Sequence, residues 1–233
     1  MQKYILSVMF AAATYAVPVS VLNPSFESAI LPFSYPTGQI SNLVSGFIPL
    51  GGTVDNWVAI GAQNGDHVGA FDPNNANPNN WTFVWETGNN VAHMQNAANG
   101  TLSMGLSQTL TDVYLANTTY TLSVDVGRRQ FEIGGASWGY AIELWGGGNL
   151  VGTASNLSLP QNSAGTDTLN VVIGSSGAPI GQNIEVRLLS KGVFSESYFD
   201  NVRLSSSADT PEPAGFALLG AGLVLLAARF RLC

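Results

Sequence analysis

The sequence predicts an all-β protein, an antiparallel β-sandwich of the jelly-roll type, followed by a short apolar helix at the C-terminus. Three observations predict it. Apolar residues recur with period two rather than 3.6, as in Tyr120, Leu122, Val124 and Val126 against Thr119, Thr121, Ser123 and Asp125. Gly, Asn and Pro clusters interrupt these runs at short intervals, and the chain carries 26 Gly, enough for many turns. No segment of the central region has a helical period, which leaves a sandwich of many short strands.

Taken in order, residues 1–16 (MQKYILSVMFAAATYA) have a charged start at Lys3, an apolar stretch, and small residues before a cut after Ala16. That is the layout of a secretory signal peptide. Residues 17–205 form the folded domain. Strands are expected at 53–60, 66–71, 81–86, 101–110, 119–126, 138–145, 149–155, 166–173, 183–190 and 196–204, with a further one around His93. Asp72–Asn80 (DPNNANPNN) reads as a turn-rich loop. Residues 206–213 are a Ser/Pro linker. Residues 214–233 hold fifteen uncharged residues, Ala214–Ala228, and then Arg229 and Arg231. As helix, that run spans about 22 Å, short of the roughly 30 Å hydrocarbon core, and the arginines could snorkel to make up the difference. Positive charge after the run keeps that end cytoplasmic and the domain outside.

Composition excludes several classes. Only 10% of the 233 residues are charged, against about 25% in an average domain, so the chain is neither a coiled coil nor an acidic disordered tail. Eight Lys+Arg against 15 Asp+Glu give a net charge of −7, and no basic face is present for nucleic acid. The one cysteine, Cys233, permits no internal disulfide, so stability must come from burial or from a metal.

Few residues carry a chemical signal. Asp200 shares strand parity with Tyr198, Val202 and Leu204, the apolar side, and a carboxyl placed inward must be paired, metal-bound or protonated. Gly135–Gly139 fits G-x-S-x-G, but a nucleophile elbow needs a following helix and a later His, and His67 and His93 both precede it. Those two histidines have no zinc spacing, and each reads as a packed or surface imidazole. Phe71, Trp81, Trp85 and Trp138, with Trp57, Trp145 and Phe131, could line a sugar platform or simply fill the core. Glu132 and Glu143 are glycosidase carboxylates by type alone.

Three resemblances add to this reading. Pro211-Glu212-Pro213, the apolar run and the Arg229/Arg231 tip resemble the C-terminal signal of PEP-CTERM proteins. The likeness implies an exported Gram-negative envelope protein, anchored in the inner membrane through the C-terminal helix until an exosortase processes the tail. Asn23–Glu27 (NPSFE), Ser107–Leu110, Asn117–Leu122 and Tyr198–Val202 (YFDNV) resemble the galactose-binding-like jelly roll of carbohydrate-binding modules. That likeness implies a structural calcium held by Glu27 and Asp200. Val68–Pro73, Asn90–His93 and Ser123–Arg129 are similar to the Stig cyclases, calcium-dependent indole-alkaloid cyclases on the same fold.

The main expectation is an exported, non-catalytic module, possible partners being surface polysaccharide and the secretion machinery. The alternative is a calcium-dependent cyclase-like enzyme with Asp200 as proton donor; His93 stands where those cyclases carry Tyr, and Phe131 near one of their aromatic positions. A purely structural matrix protein is the third class.

Overall fold

The computed structural model describes residues 15–30, 33–35, 38–40, 53–62, 66–72, 88–96, 103–128, 138–192 and 195–209. Residues 1–14 of the expected signal peptide 1–16, the expected strand 81–86 and the expected C-terminal helix with its sorting motif lie outside these residues. Among these residues fifteen strands run in chain order: β1 Val17–Val19, β2 Ala29–Ile30, β3 Phe33–Tyr35, β4 Gly38–Ile40, β5 Thr53–Val54, β6 Val58–Ile60, β7 His67–Asp72, β8 Val91–Gln95, β9 Ser103–Val113, β10 Thr118–Arg128, β11 Tyr140–Gly146, β12 Asn149–Ala154, β13 Ser163–Ile173, β14 Asn183–Lys191 and β15 Glu196–Ala208. Among the described residues, no helix is long and apolar enough to cross a membrane.

The strands make two facing sheets. One has eight strands in the order β13-β10-β15-β8-β7-β4-β3, with β1 added alongside β15. The other has five, β12-β11-β14-β9-β6, and a small β2–β5 pair stands apart. All pairings are antiparallel. This is the two-sheet sandwich that the period-two pattern predicts.

The core lies between the sheets. β10 is buried at every second residue, placing Tyr120, Leu122, Val124 and Val126 inward. They join Leu106, Ile142, Leu144, Ile184, Val186 and Leu188 from the five-stranded sheet in one apolar cluster. Fully burying each such side chain contributes about 1.5–3 kcal/mol, which is how a domain without disulfides is held. Gly105 lets β9 approach β14, because a Cβ there would sit 1.7 Å from the Leu188 carbonyl oxygen.

A single irregularity decides where the site lies. Along β10 and β15, Ser123 faces Arg203 but Asp125 faces Asp200, so two steps on β10 match three on β15. The extra residue is taken up at Asn201, whose φ of 49° is left-handed. Asn tolerates that region better than most residues. The bulge changes the facing of everything before it. Val202 and Leu204 point into the core, as does Phe199, and Asp200 and Tyr198 therefore stand on the opposite face. Uninterrupted alternation would have put Asp200 beside Val202 and Leu204; the bulge is the physical reason that it is not there.

Candidate active site

The outer face of the eight-stranded sheet carries the ionisable groups. On β7, Val68 and Ala70 belong to the core, so His67 and Phe71 face outward. On β8, Ala92 and Met94 are core residues and His93 faces outward. Register then aligns the row, since His93 is paired with Gly69 on one side and Tyr198 on the other. An outward face is normally wet, yet His67, Phe71, His93, Tyr198 and Asp200 are all buried, Asp200 to 1% exposure. Such a dry patch of aromatic and acidic groups has the composition of a small-molecule site.

The aromatic part is a continuous wall. The His93 and Tyr198 rings stack at 5.2 Å between centroids, and Phe71 lies 5.8 Å from His93 and 6.1 Å from Tyr198. His67 meets the edge of His93 at 6.2 Å. Burial, and next the neighbouring His93, push the His67 imidazole down to about 4, so it is neutral near pH 7.

The polar part centres on two carboxyls of β15. Glu196 Oε1 lies 3.1 Å from His93 Nε2 and also accepts the Tyr198 hydroxyl. Asp200 lies two residues beyond Tyr198 on the same face, about 7 Å along the strand. Its Oδ1 accepts the Asn201 N–H at 2.6 Å, and the Asn201 side chain donates to Asp125 Oδ2 at 3.0 Å. Asp125 Oδ1 also takes the Arg203 guanidinium at 3.3 Å and the Thr166 hydroxyl at 2.6 Å. Asp125 and Asp200 are cross-strand neighbours on this face, and of the two it is Asp125 that receives the cation.

The expected residues fall into three groups. Phe71, His93 and Asp200 come together here. Trp138 lies elsewhere, half-buried against the core, 5.1 Å from Tyr140 and 5.4 Å from the Arg128 guanidinium. Trp81, Trp85, Phe131, Pro211, Glu212, Pro213, Arg229 and Arg231 lie outside the described residues. Glu143 sits on the other sheet, where its oxygens accept Trp145 Nε1 at 2.7 Å and Lys191 Nζ at 3.2 Å. Glu196 was not anticipated. Its signal was present in Glu196-Ser197-Tyr198-Phe199-Asp200, where every second residue carries an ionisable group.

Glu27 and Asp200, the carboxylates expected to hold calcium, stand on different elements, Glu27 between β1 and β2 and Asp200 on β15. Calcium wants six to eight oxygens converging on one point. Glu27 is exposed, and its Oε1 accepts the peptide N–H groups of Asn89 and Asn90, both at 2.8 Å. The carbonyls of Phe26 and Glu27 face the Asn90 amide at 3.4 and 3.5 Å. These oxygens lie against N–H donors. Among the described residues no three His, Cys, Asp or Glu side chains gather to hold a metal.

Fold and site together define a β-sandwich that carries an acid and an aromatic wall on a sheet face. The chain belongs to the HpiC1-like family, described as HpiC1 cyclase, whose family model matches residues 17–205. It is similar to the Stig cyclase Fisc from Fischerella sp. TAU, solved with (3Z)-3-(1-methyl-2-pyrrolidinylidene)-3H-indole. Identity there is 25%, TM-score 0.64, over 83% of this chain and 100% of that one. It is similar also to a Fischerella sp. TAU cyclase solved with 4-(1H-indol-3-yl)butan-2-one, at 27% identity and TM-score 0.64, over 84% of this chain and 100% of that one. No curated protein matches the chain in sequence. The family match overturns the expectation of a non-catalytic polysaccharide-binding module and favours the cyclase alternative.

Proposed function

We propose that this protein is a cyclase that closes a ring on an indole-bearing substrate by acid catalysis. Asp200 is the proton donor, and Phe71, His93 and Tyr198 form the wall on which the flat ring system packs. The observation that carries this is the burial of Asp200 on the face opposite the core, in one row with Tyr198. Protonation of the substrate creates a cation, the new carbon–carbon bond moves the positive charge onto the ring, and loss of a ring proton discharges it and restores aromaticity. The product is an isomer of the substrate, so no oxidant or reductant is needed. A general acid at neutral pH needs its carboxyl kept protonated, which burial favours, and aromatic faces stabilise a passing cation.

The test uses 4-(1H-indol-3-yl)butan-2-one as a binding probe. The full chain should bind it saturably, and Phe71→Ala should weaken binding at least ten-fold. Ring closure of indole-bearing alkenes, followed as a product of unchanged mass, should be lost in Asp200→Asn at unchanged melting temperature. Absence of probe binding, or wild-type turnover by Asp200→Asn, would refute the assignment. We also propose that the protein is exported through its N-terminal segment and held at the membrane by its tail. Deleting residues 211–233 should move it to the soluble fraction, and unchanged fractionation would reject the tail's role.

A further inference from the structure

An isomerisation that takes a proton from an acid must return one. Asp200 supplies the first transfer under the reading above, on which this inference rests, and the second needs a base. The site holds an imidazole whose tautomer is fixed by its neighbour. An ionised Glu196 has only lone pairs to offer, so the atom facing its Oε1 at 3.1 Å must be a donor, and His93 carries its hydrogen on Nε2. That leaves Nδ1 as the basic atom of the ring. The Tyr198 hydroxyl donates to the same Oε1, and its ring stacks on His93, so the carboxylate and the imidazole are held from two sides.

We propose that His93 is the carbon-proton acceptor of this site, and that Glu196 and Tyr198 are positioning residues acting through it. In the step, the C–H bond at the new ring junction breaks. Its electron pair returns to the ring, the proton goes to Nδ1, and the imidazolium is paired with the Glu196 carboxylate. Solvent then carries the proton away and Asp200 is reprotonated, so charge and atoms balance over the cycle. The logic is that of any carboxylate-oriented imidazole: the partner sets the tautomer and stabilises the cation once formed.

The other groups on this face agree with that division of labour. His67, 6.2 Å from His93, stays neutral and adds no competing charge near pH 7. Asp66 stands next to His67 in sequence and acts on it electrostatically. Phe71 lies against the His93 ring at 5.8 Å between centroids. Asp125, the other carboxylate nearby, is engaged by Arg203, Thr166 and Asn201.

Two measurements on the full chain test the proposal. Nitrogen-15 NMR of the imidazole should show His93 protonated at Nε2 and bare at Nδ1, and Glu196→Gln should shift the tautomer population. An Nδ1–H tautomer in the wild type overturns the proposal whether or not the protein turns over. The second measurement follows exchange of the hydrogens beside the ketone of 4-(1H-indol-3-yl)butan-2-one in deuterium oxide, which requires a base at carbon. We expect saturable exchange in the wild type. His93→Phe and Glu196→Gln should slow it at least ten-fold, with melting temperature within the wild-type range and, for Glu196→Gln, with probe affinity within that range as well. Exchange at the wild-type rate in both variants overturns the role of His93 and leaves the acid role of Asp200 standing. Failure of the probe to bind instead removes the cyclase reading, and the NMR experiment still decides the tautomer.

Discussion

The bulge at Asn201 can be tested directly, because one residue determines the face on which Asp200 stands. Asn201→Ala removes the amide that donates to Asp125 at 3.0 Å and places Cβ-bearing alanine at a φ of 49°. The lost bond costs about 1 kcal/mol, since Asp125 keeps Arg203 and Thr166. Left-handed backbone at alanine costs about 1–2 kcal/mol more. The sum is about 2–3 kcal/mol, which for a domain of this size lowers the melting temperature by roughly 4–12 °C. Asn201→Gly loses the same bond but accepts the backbone readily, so it should recover half or more of the deficit. Deleting Asn201 removes the extra step on β15. Either Asp200 is then driven toward the core or residues 196–200 lose their register with β8. Urea denaturation orders the three variants, and fluorescence titration with 4-(1H-indol-3-yl)butan-2-one reports the site. The deletion should abolish probe binding, and the two substitutions should retain it in proportion to folding. A deletion variant that melts and binds like the wild type would refute the assignment of faces.

His67 should make stability pH-dependent. Its folded value of about 4 lies below the ordinary 6.5, so between these the unfolded chain binds more protons and stability falls as pH drops from 6.5 toward 4, by about 3 kcal/mol in all. His67→Gln should flatten that slope, and an unchanged slope would disprove the cause. Tyr140→Phe removes a hydroxyl that donates to Asp167 Oδ2 at 2.6 Å and accepts the Leu157 N–H at 2.8 Å, at a buried position. The loss should be about 2–3 kcal/mol in denaturant titrations, and a difference below 0.5 kcal/mol would count against it. Glu27→Ala should cost about 1 kcal/mol through the Asn89 and Asn90 N–H groups, equally with calcium and with chelator. A cost that appears only when calcium is present would place a cation on this carboxylate.

The architecture was legible because it depends on local alternation. β10 shows its inward row directly in Tyr120, Leu122, Val124 and Val126, and Thr118–Arg128 folds as that row predicts. The shortest strands, β1 to β4, were not legible, since two or three residues cannot establish a period. Their pairing depends on distant partners, such as Val17 with Ser206 in β15.

The site was half legible for the same reason. Asp200 stood out by residue type, and Phe71 and His93 by sequence likeness. The face they share depends on register, which is a relation between strands and has no local trace in any one of them. A bulge is still less visible, because Asn201 reads like any Asn after an Asp. Counting parity through it reverses every residue from Glu196 to Asp200. That error places Asp200 in the apolar core, where a carboxylate needs a metal or a counter-charge, and so suggests a structural ion. With the bulge in place the same carboxylate stands in a row with Glu196 and Tyr198, beside His93. The inference changes from what holds Asp200 in the fold to what Asp200 can protonate.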